Sequence, residues 1–368
     1  MKVTTAAPQR EKKIVMTGGG SAGHVTPNLA LIPELQAQGW SIDYIGSEHG
    51  VERNMIAPTQ IPYHAIRTGK LRRYFSWQNF LDPFHVLVGI AQAYRLIRKL
   101  KPDVVFSKGG FVALPVVIGG WLNRTPIVVH ESDFSIGLAN RLSFPFADKI
   151  CVTFDAAKRY IKDQAKVIVT GTPIRETLFQ GDRDKGLRRC GFKSNKLCLL
   201  VIGGGQGAQA INHCIRQSLY ALSARVQIIH ICGPGKSDPT LGHREGYFQV
   251  EYANEELPDL LAASDLVISR AGANSLYELL VLAKPHILIP LPRLQSRGDQ
   301  IQNARYFEKL GVSHVIEEEQ LTTETLLTAI ETVQDQHDHI VTKIARLKIQ
   351  SAVQPIVTLL EGFLPSLR

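Results

Sequence analysis

Short apolar runs rich in β-branched residues alternate along the chain with longer stretches in which apolar positions recur at helical spacing. The short runs predict buried strands, and the longer stretches predict the helices that connect them. Regular alternation of strand and helix is typical of parallel sheets with right-handed crossovers, so the pattern predicts an α/β fold. The predicted strands lie near Lys13–Thr17, Ser41–Ile45, Val104–Ser107, Ile127–His130, Lys149–Thr153, Cys198–Ile202, Gln227–Cys232, Phe248–Tyr252, Leu266–Ser269 and His286–Pro290.

One local pattern, a buried strand followed by a glycine-rich turn and a helix, occurs twice. Lys13–Thr17 runs into Gly18-Gly19-Gly20-Ser21-Ala22-Gly23-His24, and Cys198–Ile202 runs into Gly203-Gly204-Gly205-Gln206-Gly207-Ala208. The repeat predicts two Rossmann-like, doubly wound domains facing across a cleft, which is where open α/β sheets bind ligands. We predict a disordered arm over residues 1–12, an N-terminal domain over 13–175 and a C-terminal domain over 176–368, with the last helix free to pack back on the N-terminal domain.

The overall composition is that of a globular protein, with 44% hydrophobic and 20% charged residues. No stretch of about eighteen residues is apolar throughout, so we expect no transmembrane helix. The polar, basic first residues do not resemble a secretory signal. The five cysteines lack a paired spacing or companion histidines, which favours reduced buried thiols over disulfide or zinc chemistry.

The positive charge is concentrated in the first half of the chain. Residues 1–180 contain 22 Lys and Arg against 13 Asp and Glu, and the remainder contains 20 against 20, so the net charge of +9 lies in the first half. This asymmetry predicts an acidic partner for that half, which could be nucleic acid, anionic lipid or a phosphorylated ligand.

Glycine turns between a strand and a helix let backbone N–H groups approach a phosphate. Gly18-x-Gly20-x-x-Gly23 also matches the dinucleotide fingerprint, and the second turn matches its relaxed form. A purely structural role is the alternative, but two such turns after strands favour ligand binding. His24 ends the first turn and can accept a proton near neutral pH, unless it is only a polar residue at a helix start.

A third turn follows Leu266–Ser269, where Arg270–Ser275 opens a helix that continues through Glu278. Its small residues suit a diphosphate, and Glu278 either accepts two hydrogen bonds from a ribose diol or complements the helix dipole. After the next strand, residues 293–300 offer donors and acceptors for sugar hydroxyls, or form a solvated loop.

Two further groups of residues close predicted strands at the same edge of the first sheet. They are Lys108-Gly109-Gly110-Phe111 and His130-Glu131-Ser132-Asp133. Polar residues clustered at the carboxyl end of a strand favour a site, and a chance cluster is the alternative.

The segment from Gly69 to Lys101 combines aromatic and apolar residues at helical spacing with flanking cations. From Arg67 to Lys101 it contains eight basic residues and one acidic residue. An apolar stripe usually packs in a core, but this aromatic content and these cations favour a surface that binds anionic lipid. The predicted membrane-facing residues are Lys70, Arg72, Arg73, Trp77, Phe80, Phe84 and Trp121.

These motifs in order resemble the MurG family, glycosyltransferases that transfer N-acetylglucosamine from UDP-GlcNAc to the 4-hydroxyl of MurNAc in lipid I during peptidoglycan synthesis. The resemblance covers about residues 13–330. The motifs that carry it are Gly18–His24, Lys108–Val112, His130-Glu131, Gly171–Arg175, Gly203–Ala208, Ser269–Ala273 and Asp299-Gln300 with Asn303-Ala304.

The resemblance implies an inverting, metal-independent enzyme of the GT-B fold that needs no cofactor and is attached peripherally to the cytoplasmic face of the plasma membrane. It implies as partners a UDP-GlcNAc donor, a polyprenyl-pyrophosphate-linked acceptor and an anionic membrane surface, and no nucleic acid. It makes His24 the catalytic base. The implied substrate-binding residues are Ser21, Ala22, Gly23, Asp133, Arg175, Gly205, Asn254, Ala273, Asn274, Ser275, Leu276, Tyr277, Glu278 and Gln300.

The sequence departs from the family pattern in three motifs. The usual HEQN reads His130–Asp133, which replaces an amide by an acid. Gly205 replaces a serine and so removes a hydroxyl, and Phe111 stands where tyrosine is frequent.

Four other functions are compatible with parts of the pattern. A transferase that glucosylates diacylglycerol would share the fold, and a nucleotide-sugar epimerase would share it without a membrane face. An NAD-dependent oxidoreductase is suggested by the first glycine turn with Asp43 about twenty residues on. A non-catalytic sugar-binding module is the last alternative, and His24 at the end of a glycine turn argues against it.

Overall fold

The computed structural model describes residues 10–69, 82–242 and 244–364. The chain divides into two compact units, the first comprising Met1–Ser132, Ile136–Pro173 and Ala352–Arg368, and the second Asp133–Ser135 and Ile174–Ser351. The boundary between the units therefore follows Pro173, two residues before the predicted one. Of the predicted arm, residues 1–9 lie outside the described residues. Arg10, however, pairs with Asp103 at 2.6 Å, and the first strand begins at Lys12.

The first unit is built on a parallel sheet. Its strands within the described residues are β1 (Lys12–Thr17), β2 (Trp40–Ser47), β3 (Tyr63–Ile66), β4 (Val104–Ser107), β5 (Ile127–Glu131), β6 (Lys149–Val152) and β7 (Val167–Val169). The connecting helices are α1 (Thr26–Ala37), α2 (Val51–Ile56), α3 (Asp82–Leu100), α4 (Ala113–Leu122) and α5 (Leu138–Ser143). The spatial order of the strands is β3-β2-β1-β4-β5-β6-β7.

The central strands of this sheet are covered on both faces. Ile14, Val15 and Met16 of β1 are at most 1% exposed, because β1 pairs with β2 and β4 and helices pack on both sides. Strands buried in this way read as continuous apolar runs, which is why the sequence predicts them. The two strands missed in this unit, β3 and β7, lie at the edges and are short and mostly half-buried.

The second unit repeats the same order of strands. Within the described residues it contains β8 (Cys198–Ile202), β9 (Gln227–Ile231), β10 (Tyr247–Val250), β11 (Leu266–Ser269), β12 (His286–Leu288) and β13 (His314–Val315), in the order β10-β9-β8-β11-β12-β13. Its helices are α6 (Arg183–Cys190), α7 (Gln209–Gln217), α8 (Leu219–Ser223), α9 (Leu257–Ala263), α10 (Ala273–Val281), α11 (Asp299–Lys309), α12 (Thr323–Asp335) and α13 (His337–Arg346). The predicted class, two doubly wound Rossmann-like domains, is confirmed.

The last helix, α14 (Val353–Glu361), belongs to the first unit. Ile356, Val357 and Leu360 pack in the same core cluster as Ile14, and Lys12 forms an ion pair with Glu361 at 2.8 Å. The C-terminal domain predicted over 176–368 therefore ends at Ser351, since burial of one apolar face of α14 joins it to β1 and α1.

In each sheet the direction of winding reverses at one strand pair, β1 and β4 in the first and β8 and β11 in the second. The carboxyl ends of such a pair are where open parallel sheets leave a crevice for ligands. Both glycine turns predicted from the sequence begin there. Among the described residues, no helix has the length and apolar content needed to span a bilayer.

Candidate functional site

The first glycine turn leaves β1 and places His24 at its end. The chain passes through a 3-10 turn over Ala22–His24 before α1, and Gly20 has a φ of +82°. The His24 Nδ1 atom lies 3.1 Å from the carbonyl oxygen of Gly19 and 3.0 Å from the hydroxyl of Ser21. A carbonyl oxygen can only accept, so the contact with Gly19 favours the neutral tautomer of His24 that carries its proton on Nδ1 and its lone pair on Nε2. The Ser21 hydroxyl can accept from Nδ1 in this tautomer. This arrangement makes half-buried His24 a proton acceptor.

The turn after β4 packs directly on the first glycine turn. The amide of Gly19 donates to the carbonyl of Gly109 at 3.2 Å, and a Cβ on Gly20 would overlap the ring of Phe111. Lys108 is buried, 1% exposed, and its ammonium donates to the hydroxyl of Ser132. The structure therefore brings the residues after β4 and β5 together at this edge, as the sequence predicts. The Lys108 side chain, however, is buried beneath the surface.

His130 and Glu131 hold the backbone around β5. His130 is fully buried, its Nε2 donates to the carbonyl of Gly171 at 2.7 Å, and burial together with Lys108 holds its pKa well below the usual value. Glu131 accepts from the amide of Gly137 at 2.9 Å and the side chain of Asn140 at 3.0 Å. Both residues, predicted as part of a site at this edge, thus also support the fold.

Asp133 is ion-paired in this structure. Its carboxylate accepts from Arg297 at 3.1 Å, and the side-chain nitrogen of Asn303 lies 3.5 Å from it. The acid that replaces the family's usual amide therefore has a cation beside it. Its charge is compensated within the second unit.

The second glycine turn, after β8, has an open position at Gly205. A Cβ on Gly203 or Gly207 would overlap backbone atoms, and Gly204 and Gly207 have positive φ values of +85° and +67°. These three glycines are required by the turn itself. Gly205 is exposed, and a Cβ there would meet nothing within 4 Å. The space above Gly205 is thus available to a ligand.

The turn after β11 leads into α10. The first N–H groups of this helix lie at the carboxyl edge of the second sheet, where the turn after β8 also begins. Gly272 is the N-cap residue of this helix, and Glu278 lies one turn further on and is half-buried. Burial raises the pKa of the Glu278 carboxyl, and the positive charge of Arg175 opposes that shift. Within the described residues the Nε atom of Arg175 is buried and lacks a hydrogen-bond partner. The Arg175 guanidinium therefore has one donor without a partner, and its charge lies near the Glu278 carboxyl.

Gln300 lies in the first turn of α11, and a hydrogen bond from the backbone fixes the orientation of its side-chain amide. Its carbonyl oxygen accepts from the amide of Leu291 at 3.1 Å, which leaves the amide nitrogen on the side of Gly272. An N–H₂ group held in this way is a donor for a hydroxyl or phosphate oxygen.

Some of the predicted substrate-binding residues have side chains that face the interior. Ala273, Leu276 and Tyr277 are at most 5% exposed, and the Tyr277 hydroxyl donates to the carbonyl of Gln350 at 3.1 Å. A ligand at the start of α10 could meet only the backbone of these residues. Asn274 and Ser275 are half-buried at the helix start, and Asn254 is exposed in the loop between β10 and α9.

The sequence interpretation assigned no role to two buried charged side chains, those of Arg270 and Glu52. Arg270 donates to the carbonyls of Ile289 and Pro290 and pairs with Glu318, so it ties the β11 and β12 turns together. Glu52, at the start of α2, accepts from the backbone of the first glycine turn. A glutamate in a first helical turn is common for dipole reasons, so no local signal distinguishes Glu52.

Of the predicted membrane-facing residues, Lys70, Arg72, Arg73, Trp77 and Phe80 lie outside the described residues. Phe84 and Leu87 of α3 are 61% and 65% exposed, and Trp121 of α4 is 51% exposed. The exposed stripe of α3 continues along the helix with Ala91, Arg95 and Arg98. Its character changes from apolar to basic.

Sequence families match both units. The glycosyltransferase family 28 N-terminal domain matches residues 14–152, and the family's C-terminal domain matches residues 198–357. The chain belongs to glycosyltransferase family 28. Across the described ranges no group of three or more His, Cys, Asp or Glu side chains is arranged to hold a metal ion.

Two bacterial relatives of this chain share the name UDP-N-acetylglucosamine–N-acetylmuramyl-(pentapeptide) pyrophosphoryl-undecaprenol N-acetylglucosamine transferase. The protein from Legionella pneumophila (strain Paris) is 61% identical over 348 residues, which is 95% of this chain and 96% of the relative. The protein from Clostridium tetani (strain Massachusetts / E88) is 50% identical over 353 residues, 96% of this chain and 98% of the relative.

Among solved structures, MurG from Acinetobacter baumannii matches with a TM-score of 0.76 at 25% identity, covering 95% of this chain and 99% of that one. A UDP-GlcNAc 2-epimerase from Neisseria meningitidis matches with a TM-score of 0.64 at 14% identity, covering 95% and 100%. The second likeness shows the shared fold alone. The 61% and 50% identity to the two N-acetylglucosamine transferases favours that activity among the functions considered above.

Proposed function

We propose that this protein transfers N-acetylglucosamine from UDP-GlcNAc to the 4-hydroxyl of the MurNAc residue in a polyprenyl-pyrophosphate-linked acceptor, converting lipid I into lipid II. The observation that carries this proposal is the 61% and 50% identity, over nearly the whole chain, to the Legionella and Clostridium transferases, whose names give the transferred sugar and the acceptor. The proton acceptor at His24 and the polar groups around α10 supply the chemistry that the reaction needs.

His24 is the proposed base. The Nε2 lone pair removes the proton of the acceptor hydroxyl as its oxygen attacks C1 of the donor sugar, and the C1–oxygen bond to UDP breaks on the opposite face. The anomeric centre is inverted, and UDP leaves with the bonding electrons. Nδ1, held on the Gly19 carbonyl, keeps the proton on the other side of the ring.

The second unit is the proposed donor site. Negative charge develops on the diphosphate as UDP leaves, and the N–H groups at the start of α10 and at Gly205 can stabilise it. Glu278 accepts from the ribose diol, with Arg175 nearby, and the amide nitrogen of Gln300 donates to a sugar hydroxyl. Asn254 completes the donor site at the uracil, and Asn274 and Ser275 face the diphosphate.

The reaction is tested by incubating the purified protein with a lipid I analogue and a panel of UDP-sugars. UDP release that requires both UDP-GlcNAc and the MurNAc acceptor is the expected result. Release with UDP-glucose and diacylglycerol in place of these substrates would instead indicate the glycolipid-forming alternative. Conversion of UDP-GlcNAc without an acceptor would indicate the epimerase.

The exposed stripe of α3 supports peripheral attachment to the cytoplasmic face of the plasma membrane. Phe84 and Leu87 present apolar area to solvent, and Arg95 and Arg98 follow on the same stripe. Apolar side chains that enter the headgroup region, flanked by cations that attract anionic lipid, are the two interactions of an interfacial helix. Trp121 adds a third exposed apolar side chain from α4, which packs against α3.

Replacing Phe84 and Leu87 together by serine should weaken binding to vesicles that contain anionic lipid. Each side chain contributes roughly 1.5–3 kcal/mol when fully buried in an apolar phase, so the loss in affinity should exceed tenfold. Turnover of a short-chain soluble acceptor should stay near normal. The matched control is Tyr220→Ser, which removes an 89% exposed aromatic side chain from the second unit. Equal vesicle binding by both variants would contradict the proposal.

A further inference from the structure

A carboxylate lies buried behind the first glycine turn. Glu52, near the start of α2, is 0% exposed. Its Oε2 accepts from the amide of Gly20 at 3.1 Å, and its Oε1 accepts from the amide of Ser47 at 3.0 Å and from the Ser47 hydroxyl. A carboxylate removed from water is costly unless such donors replace its hydration, so its place in the fold is closely specified.

Two glycines make room for this carboxylate. A Cβ on Gly19 would lie 2.5 Å from Cδ of Glu52, and a Cβ on Gly50 would overlap the carboxylate oxygens. Neither glycine has a positive φ, so backbone conformation does not require glycine at either position. The Glu52 carboxylate occupies the space that a side chain on either glycine would fill. A larger residue at Gly19 or Gly50 would therefore displace Glu52.

Glu52 and His24 bind opposite ends of one peptide group. Glu52 accepts from the N–H of Gly20, and His24 Nδ1 donates to the carbonyl oxygen of Gly19, which belongs to the same planar peptide. A negative charge at the N–H end polarises the group and makes its oxygen a better acceptor, as in other chains of hydrogen bonds. The Gly19–Gly20 peptide therefore connects a buried carboxylate to the imidazole.

We infer that Glu52 is a positioning residue for His24, acting through the Gly19–Gly20 peptide to keep the proton on Nδ1 and the lone pair on Nε2. The inference rests on the proposed function, in which His24 is the base. It assigns to Glu52 the part that a carboxylate takes when it contacts a catalytic histidine directly, with one peptide group inserted between them.

Several charged or titratable side chains lie near the first glycine turn, and a titration of His24 must distinguish its signal from theirs. The charged or titratable groups among the described residues are Tyr44 of β2, Tyr63 of β3, Arg67 after β3, Glu48 and His49 before α2, Arg53 of α2, His85 of α3 and Lys108 after β4. Burial, followed by the charge of Glu52, raises the pKa of Tyr63, and burial also raises that of Tyr44. Both phenols therefore stay neutral near pH 7.

The variant Glu52→Gln tests the inference, because it keeps the side-chain size and removes the charge. We expect kcat to fall by roughly tenfold to a hundredfold, the scale of effect known for removing a carboxylate that orients a metal-binding histidine. The donor KM should be unchanged. The pKa of His24, followed by NMR with His49→Ala and His85→Ala spectra for assignment, should fall because the imidazolium loses its support.

Ser47→Ala is the matched control. It removes a hydrogen bond to the other oxygen of Glu52 and leaves the Gly20 contact, so it should lower stability but leave the His24 titration unchanged. A Glu52→Gln protein that shows only lower stability, with wild-type kcat, pH profile and His24 titration, would overturn the role of Glu52.

A measurement on the wild-type protein keeps the inference testable if Glu52→Gln does not fold. Nitrogen-15 NMR of labelled histidine should show neutral His24 protonated on Nδ1, and the Gly20 amide resonance should shift as His24 titrates. Protonation on Nε2, or a Gly20 resonance that does not move, would overturn the inference. Normal turnover by His24→Ala would overturn the base itself and with it the catalytic role of Glu52. Lost turnover by His24→Ala beside an unaltered Glu52→Gln would overturn Glu52 alone.

Discussion

The glycine turns after β1 and after β8 begin with the same sequence of strand, three glycines and a helix, yet their surroundings differ. The first is held from several sides, by Glu52 on Gly20, by Tyr44 on Gly18 at 2.6 Å and by the Gly109 carbonyl on Gly19 at 3.2 Å. In the second, Gly205 is exposed, and the position that a Cβ would take is open.

This difference indicates different uses of one local motif. A turn that fixes a peptide can orient a base, because the orientation of His24 depends on the Gly19 carbonyl. A turn with an open glycine can admit a phosphate close to its backbone N–H groups. In the proposed function, the same local motif therefore positions the base in the first unit and admits the donor's phosphate in the second.

The largest effect expected is on the first turn. His24→Ala should reduce turnover by roughly 10²–10⁴, the usual contribution of a general base, while UDP-GlcNAc binding stays intact. Steady-state kinetics and calorimetric binding of the donor would measure the two effects. Near-normal turnover would direct attention to Asp133 or Glu131, although both carboxylates are engaged by other groups in this structure.

A smaller effect, on donor binding, is expected in the second unit. Glu278→Ala should raise the donor KM by more than tenfold, because a lost hydrogen-bonding carboxylate costs on the order of 1.5–3 kcal/mol. Since burial raises the pKa of Glu278, the wild-type donor KM should also rise as the pH falls through that pKa, at a higher pH than for an exposed glutamate. Glu319→Ala, at an exposed site in the same unit, is the control, and an equal KM in both variants would remove Glu278 from the site.

The smallest effect expected is a difference in stability between two variants that carry the same Gly→Ala substitution, one in each turn. Gly20→Ala should lower the free energy of unfolding by about 1–2 kcal/mol from its positive φ, and by more because of the overlap with Phe111. Gly205→Ala should change stability by less than about 0.5 kcal/mol, because the added methyl meets only solvent. Thermal unfolding would compare the two variants. Equal midpoints would mean that the first turn is no more constrained than the second.

The short edge strands show where sequence patterns lose their signal. β3, β7 and β13 contain two to four residues and are mostly half-buried, so they form no apolar run that could be recognised. Leu276 and Tyr277 are a second case, because the family resemblance places them at the donor while helix geometry turns their side chains into the core.

The sequence by itself determined the α/β class, the two strand–glycine–helix turns, the family and the position of His24. These depend on runs of neighbouring residues, whose hydrophobic periodicity and turn chemistry are local. Only the tertiary structure decided which side chains support them. Glu52 reaches Gly20 across 32 positions because β1 and β2 are neighbours, and Asp133 meets Arg297 across 164 positions. Such contacts depend on the order in which strands join a sheet, and no local pattern records that order.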